Sequence, residues 1–154
     1  MSLQYPLSRL NQIDAKRICI IKPSALGDVV QTLPLLPVLR ERFPDARISW
    51  VIRDSFANLL EGHPDLDEII PFSRRSSVRY WWSFLKELKQ RQFDLVLDLQ
   101  GLLRTGVMTA ATRAPLRIGI EAAREGSHLA CNLTIPDTGR QIPAYLKYWL
   151  VADA

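Results

Sequence analysis

Short apolar runs rich in β-branched residues alternate along this chain with longer stretches whose apolar positions recur three and four residues apart. Residues 17–22, 46–52, 67–72 and 93–99 have the length and the Ile/Val content of strands, several of them apolar enough to be covered on both faces. Between them, 28–43, 55–60, 78–92 and 101–112 carry helical spacing. A fifth strand is expected near 117–120, a sixth near 132–135, and a terminal helix from Tyr145 onward. Strands that alternate with helices predict βαβ units, and hence a doubly wound α/β fold around a mainly parallel sheet. Within the first helical stretch, Pro34 and Pro37 would each remove a backbone donor. The pattern therefore predicts either a kink or a regular helix that starts only near Pro34, with Asp28 in a short first turn of its own.

Composition narrows the class without naming a function. The 154 residues are 47% hydrophobic and 23% charged, the balance of an ordinary globular chain, and long enough for one domain with a real core. No apolar run reaches the length of a membrane span, and the first ten residues lack the apolar centre of a signal peptide, so the expected location is the cytoplasm. Cys19 and Cys131 stand alone, which supports neither a disulfide framework nor a zinc site, and both read as buried small residues. His63 and His128 are isolated and read as surface or turn residues; no metal is expected.

Charge is concentrated where it matters. Between Ser73 and Arg91, six cations (Arg74, Arg75, Arg79, Lys86, Lys89, Arg91) face one acid, Glu87, a net +5 against +4 for the whole chain. That imbalance implies an anionic partner. Tyr80, Trp81, Trp82 and Phe84 interleave with the cations. The default is a solvated helix face with aromatics turned inward; rings beside cations also suit a membrane interface. Nucleic acid is not expected, because no nucleic-acid-binding motif accompanies the charge.

Three turns carry candidate chemistry. The first, Lys22-Pro23-Ser24-Ala25-Leu26-Gly27-Asp28, ends a strand and opens a helix, and in open α/β sheets ligands bind in the crevice beyond the carboxyl ends of the strands. Asp28 there is either a helix N-cap or a functional carboxylate. Gly27 permits close backbone approach to a ligand, and Ser24 offers a hydroxyl. The second, Asp98-Leu99-Gln100-Gly101-Leu102-Leu103-Arg104, again follows a strand and reads either as a plain turn or as a ligand-facing one. The third is Ala123-Arg124-Glu125, whose arginine has the planar fork suited to a phosphate or carboxylate, with Arg113 and Arg117 as candidates to extend the patch. Neither Gly-x-x-x-x-Gly-Lys nor Gly-x-Gly-x-x-Gly occurs, which removes the familiar nucleotide loops.

These three turns together resemble glycosyltransferase family 9, the ADP-heptose:lipopolysaccharide heptosyltransferases. The sharpest parts are residues 24–34, 98–104 and 123–125, and the resemblance runs from Lys16 to the end of the chain. It implies a Rossmann-like fold, the amino-terminal half of a GT-B glycosyltransferase, with residues 1–15 an extension and 16–154 the acceptor-side domain. It implies Asp28 as catalytic base, Ser24, Leu26 and Gly27 as cleft-lining residues, and Gln100, Arg104, Arg124, Arg74, Arg75 and Arg79 as acceptor contacts. The implied partners are ADP-heptose, bound mainly by a second domain, an anionic lipopolysaccharide core acceptor, and the inner membrane surface as a peripheral contact. No metal or other cofactor is implied. A chain of this extent is expected to be inactive alone. The reading from another class is a non-catalytic Rossmann-like module that binds an anionic glycolipid or a protein partner. One departure stands out: where family members often carry His-Ala-x-x-Arg, this chain has Ile142-Pro143-Ala144-Tyr145-Leu146.

Overall fold

The apolar runs pair as parallel strands β1 (Arg17–Ile21), β2 (Arg47–Arg53), β3 (Glu68–Phe72), β4 (Leu95–Asp98), β5 (Leu116–Ile120) and β6 (Leu133–Ile135), in the spatial order 3-2-1-4-5-6. This computed structural model describes residues 13–120 and 124–135; the helix expected from Tyr145, the stretch 142–146 and most of the expected extension lie outside them. β1 is central, with Ile20 level with Trp50 on β2 and Leu97 on β4. Strand alternation divides the core between the two faces of the sheet. Ile18, Ile20, Ile48, Trp50, Leu95 and Leu97 join Leu35, Leu36 and Leu39 on one side. Cys19, Ile21, Val51 and Val96 join Phe84, Leu85, Leu88 and Met108 on the other. Each fully buried aliphatic side chain among them contributes about 1.5–3 kcal/mol.

The first helical stretch is two helices, α1 (Leu26–Thr32) and α2 (Leu35–Arg42). Pro34 is the N-cap of α2 and Pro37 lies in its first turn, where a missing N–H breaks no helical bond. Asp28 thus sits in a short helix of its own, the arrangement the prolines predicted. The helix expected over 55–60 is instead a 3₁₀ turn, Asp54–Leu59, with no fully buried residue. α3 (Val78–Gln90) and α4 (Leu103–Thr112) form as expected, and a further 3₁₀ turn, Ser127–Ala130, was not foreseen. Ser77 caps α3 by accepting from the Tyr80 N–H at 3.2 Å.

At the amino edge, Asp67 Oδ2 accepts from the Ile48 N–H and from Arg40 Nη2, both at 2.7 Å, pinning the start of β3 to β2. Partial burial pushes the Asp67 carboxyl up, but these donors outweigh it and hold it below the usual range. Of the cysteines, Cys19 is buried and Cys131 only half-buried, its sulfur packed against Gly119, which corrects the expectation that both are buried. Burial raises both thiols, Cys131 to about 12, so neither is a reactive thiolate at neutral pH.

The Ser127–Ala130 turn rests against α4 at Gly106, where a Cβ would come within 2.9 Å of Ser127 Cα and 3.0 Å of its Cβ. Alanine inside a helix normally gains up to about 1 kcal/mol over glycine. Overpacking against backbone costs about 1–3 kcal/mol. Gly106→Ala is therefore expected to lower the melting temperature by roughly 2–8 °C, read by circular dichroism. An unchanged or raised melting temperature would mean that the turn yields freely.

Candidate functional site

Between β1 and β4 the strand order reverses, and this is the topological switch point at which open parallel sheets bind ligands. The chain leaves β1 towards α1 and leaves β4 towards α4, on opposite faces, so a crevice opens beyond Ile21 and Asp98. Two of the three candidate turns, 22–28 and 98–104, border it. The third joins them: the Arg124 N–H donates to the Gly101 carbonyl at 2.7 Å.

Asp28 is the third residue of α1, not its N-cap; Ala25 holds that place without a side-chain hydrogen bond. The capping alternative is thereby corrected. The Asp28 carboxylate is 48% exposed and lies 3.5 Å from Lys22 Nζ. Lys22 follows the last residue of β1, is itself buried, and passes its carbonyl to Trp50 Nε1 at 3.1 Å. Burial lowers its ammonium below the ordinary lysine value, while the charges of Asp28 and Asp98 pull the other way. Gly27 faces open space among the described residues, where a Cβ would meet nothing within 4 Å. Packing thus does not require glycine there, and Leu26 beside it is 48% exposed.

The β4 turn is built around a buried acid. Asp98 Oδ1 accepts from the N–H groups of Gln100 and Gly101, both at 3.1 Å. Gly101 has φ of 70°, a left-handed conformation that glycine adopts at little cost. Burial pushes the Asp98 carboxyl up, against the pull of those two N–H groups. Gln100 Oε1 accepts from the Ser24 N–H at 3.2 Å, so the side chain expected to meet an acceptor ties the two turns together. Arg104 is exposed, its guanidinium 5.7 Å from the Phe72 ring and 5.9 Å from the Trp81 ring. Arg124 is exposed on its turn, and Glu125 Oε2 accepts from the Leu103 N–H at 3.1 Å at the start of α4. Arg74, Arg75 and Arg79 are exposed, in the loop after β3 and the first turn of α3, on the same edge of the sheet.

Other expected members lie elsewhere. Arg117 spends its guanidinium on the carbonyls of Ala114 and Ala130, and both it and Arg113 sit towards the amino edge, so neither extends the Arg124 patch. Arg91 pairs with Glu68 at 2.8 Å and Glu87 at 3.0 Å, which removes it from the free basic surface. Of the aromatics, Phe84 is buried, Tyr80 and Trp81 pack beside it, and Trp82 points outward, 67% exposed. Lys22, Asp98 and Glu125 stood in the candidate turns without an assigned role. The signal for the first two was a charged residue ending an apolar strand. Among the described residues no group of three or more His, Cys, Asp or Glu side chains is placed to hold a metal ion.

A six-stranded parallel sheet in this order is a Rossmann-like fold, and it matches the fold of part of a GT-B type glycosyltransferase. Residues 81–145 match Glycosyltransferase family 9 (heptosyltransferase), and the resemblance read from the sequence is borne out. The chain is 30% identical over 124 residues to the lipopolysaccharide core heptosyltransferase OpsX of Haemophilus influenzae, covering 79% of this chain and 35% of that protein. It is 28% identical over 120 residues to lipopolysaccharide heptosyltransferase 1 of Escherichia coli K12, covering 71% and 38%. Among solved structures, E. coli heptosyltransferase WaaC with ADP-2-deoxy-2-fluoro heptose superposes with a TM-score of 0.77 at 26% identity, over 89% of this chain and 47% of that one. A family 9 glycosyltransferase from Veillonella parvula gives 0.77 at 25% identity, over 99% and 42%. The chain thus spans less than half the length of these relatives.

The raised Asp98 carboxyl yields a test of sign. A folded-state value above the unfolded 3.8 means that the folded protein binds the proton more tightly, so the charged form costs stability at neutral pH and the cost fades as pH falls through the raised value. Relative to Asp98→Asn, the unmodified chain is expected to gain stability between pH 7 and pH ~4 in urea unfolding. A stability difference independent of pH would show that burial places no load on this carboxylate.

Proposed function

We propose that residues 16–154 are the acceptor-side domain of a heptosyltransferase-like enzyme that transfers heptose from ADP-heptose to the lipopolysaccharide inner core with inversion. The observation that carries this reading is Asp28: a half-exposed carboxylate at the switch point, free of any capping duty, beside a buried lysine. In the proposed step, Asp28 takes the proton of an acceptor hydroxyl while that oxygen attacks the anomeric carbon. The bond from that carbon to the diphosphate breaks, and ADP leaves with the electron pair. Ser24, Leu26 and Gly27 line the cleft. Gln100 holds the Ser24 turn in place, leaving its amide nitrogen for the acceptor. Arg104 and Arg124 meet acceptor phosphate or carboxylate, and Arg74, Arg75 and Arg79 attract it. The reading assigns most nucleotide-sugar contacts to a second domain outside these 154 residues, in keeping with the greater length of the relatives. It also places the protein in the cytoplasm, in peripheral contact with the inner membrane. No helix among the described residues is long and apolar enough to cross a membrane.

Three outcomes are expected. The chain alone, given labelled ADP-heptose and a heptose-free acceptor, should show no turnover, because orienting both substrates supplies much of the rate and this reading assigns half of the cleft to the second domain. Turnover at ordinary enzymatic rates would refute the division into halves. In a two-domain enzyme, Asp28→Asn should lower kcat by roughly 10² to 10⁴ with the melting temperature nearly unchanged. Normal turnover would remove Asp28 from the role of catalytic base. Third, Arg124→Lys should weaken binding of a soluble phosphorylated core oligosaccharide by about 1 kcal/mol or more, since an ammonium cannot reproduce the bidentate fork. Arg79→Lys, acting through a screened field, should cost little; equal losses would remove Arg124 from the acceptor site.

A further inference from the structure

Helix α3 has an outer face that its folding does not explain. With Phe84, Leu85 and Leu88 buried, the 100° step per residue turns Arg79, Trp82 and Lys86 away from the core, with Lys89 and, on the exposed first turn, Val78 flanking them. Val78 is 73% exposed and Trp82, one turn on, is 67% exposed. Tyr80, Trp81 and Phe84 of the same helix bury their rings against one another and Phe72, so the outward ring is not a helix-wide lack of room. The charge around the exposed pair has one sign. Glu87, the single acid between Ser73 and Arg91, is tied to Arg91. Among the described residues, no acidic group lies within 4 Å of the ammonium or guanidinium of Arg74, Arg75, Arg79, Lys86 or Lys89.

We infer that this outer face of α3 is a docking surface for an anionic lipid bilayer, with Trp82 and Val78 seated at the headgroup boundary and the surrounding cations on lipid phosphates. Uncompensated cations alone fit any polyanion. An outward tryptophan and valine within them fit a partner that is apolar just beneath an anionic layer. Each cation near such a surface is worth roughly a fivefold change in binding. The first turn of α3 lies at the carboxyl edge of the sheet, so a bilayer held here flanks the loop of Arg74 and Arg75 and the crevice beyond it. The inference deepens the proposed function by naming what brings a lipid-borne acceptor to that crevice. It rests on that reading's membrane contact, but its test needs no turnover, so it can fail while the proposed transfer step stands.

The 154-residue chain is sedimented with vesicles of phosphatidylglycerol and phosphatidylethanolamine, and with phosphatidylcholine alone, at low and high salt. Pelleting is expected only with the anionic vesicles and should fall steeply with salt. Lys86→Glu should weaken it by at least about fivefold, and Trp82→Ser by roughly three- to tenfold. Both side chains are exposed, so thermal melts should be unchanged. Brominated acyl chains should quench tryptophan emission in the unmodified chain and not in Trp82→Ser. Equal pelleting with neutral vesicles, no pelleting with anionic ones, or binding that Trp82→Ser leaves intact would overturn the inference. So would release by a soluble phosphorylated oligosaccharide with emission unchanged, which assigns the cations to that ligand.

Discussion

The site depends on a single constraint of chain direction. Parallel strands need crossovers of one hand, so a sheet that grows outward from β1 in both directions must send the chain after β1 to one face and after β4 to the other. No segment can fill the gap left between those departures. Whatever residues end β1 and β4 become its walls, here Lys22 and Asp98, and the helices that follow present their first turns to it. The crevice follows from backbone topology, and the side chains decide only what it holds.

Those side chains are expensive. Lys22 and Asp98 are charged groups at buried positions, each shifted by burial towards its neutral form. A purely structural chain would be better served by apolar residues at both positions, as at the buried positions of β1 and in Leu95–Leu97 of β4. The cost is offset locally: Asp98 organises two backbone N–H groups of its own turn, and Lys22 meets Asp28. The Ser24 to Gln100 bond then couples the two turns across the gap. A mouth built this way holds its width without apolar filling.

Much of this was legible from residue order. Short apolar runs located the strands because both faces of the sheet are covered, period-3.6 spacing located the main helices, and Pro34 marked the break before α2. The turns at Asp28 and Asp98 stood out because each interrupts an apolar strand with polar residues and glycine. What stayed hidden was direction. Trp81 and Trp82 are neighbours of the same type, and only the phase of α3 against Phe72 turns one inward and the other out. Arg117 and Arg124 are equally suited to an anion by chemistry, yet carbonyls near the amino edge consume the first. Gln100 resembles a ligand contact until the Ser24 N–H is seen to occupy its oxygen. Long-range pairing makes these distinctions, and local sequence carries no record of it.

Arg104 illustrates a further economy. Its guanidinium lies over Phe72 and Trp81, residues of β3 and α3, while its backbone belongs to α4. Attraction of a cation to ring faces acts through the flat side of the group, whereas its N–H bonds point outward in its plane. An arginine side chain gives up about 2 kcal/mol of rotamer freedom when fixed. Here the rings have already narrowed the rotamers, with the hydrogen-bonding rim left open. An oxyanion that docked on that rim would meet a side chain with part of its entropy already given up during folding.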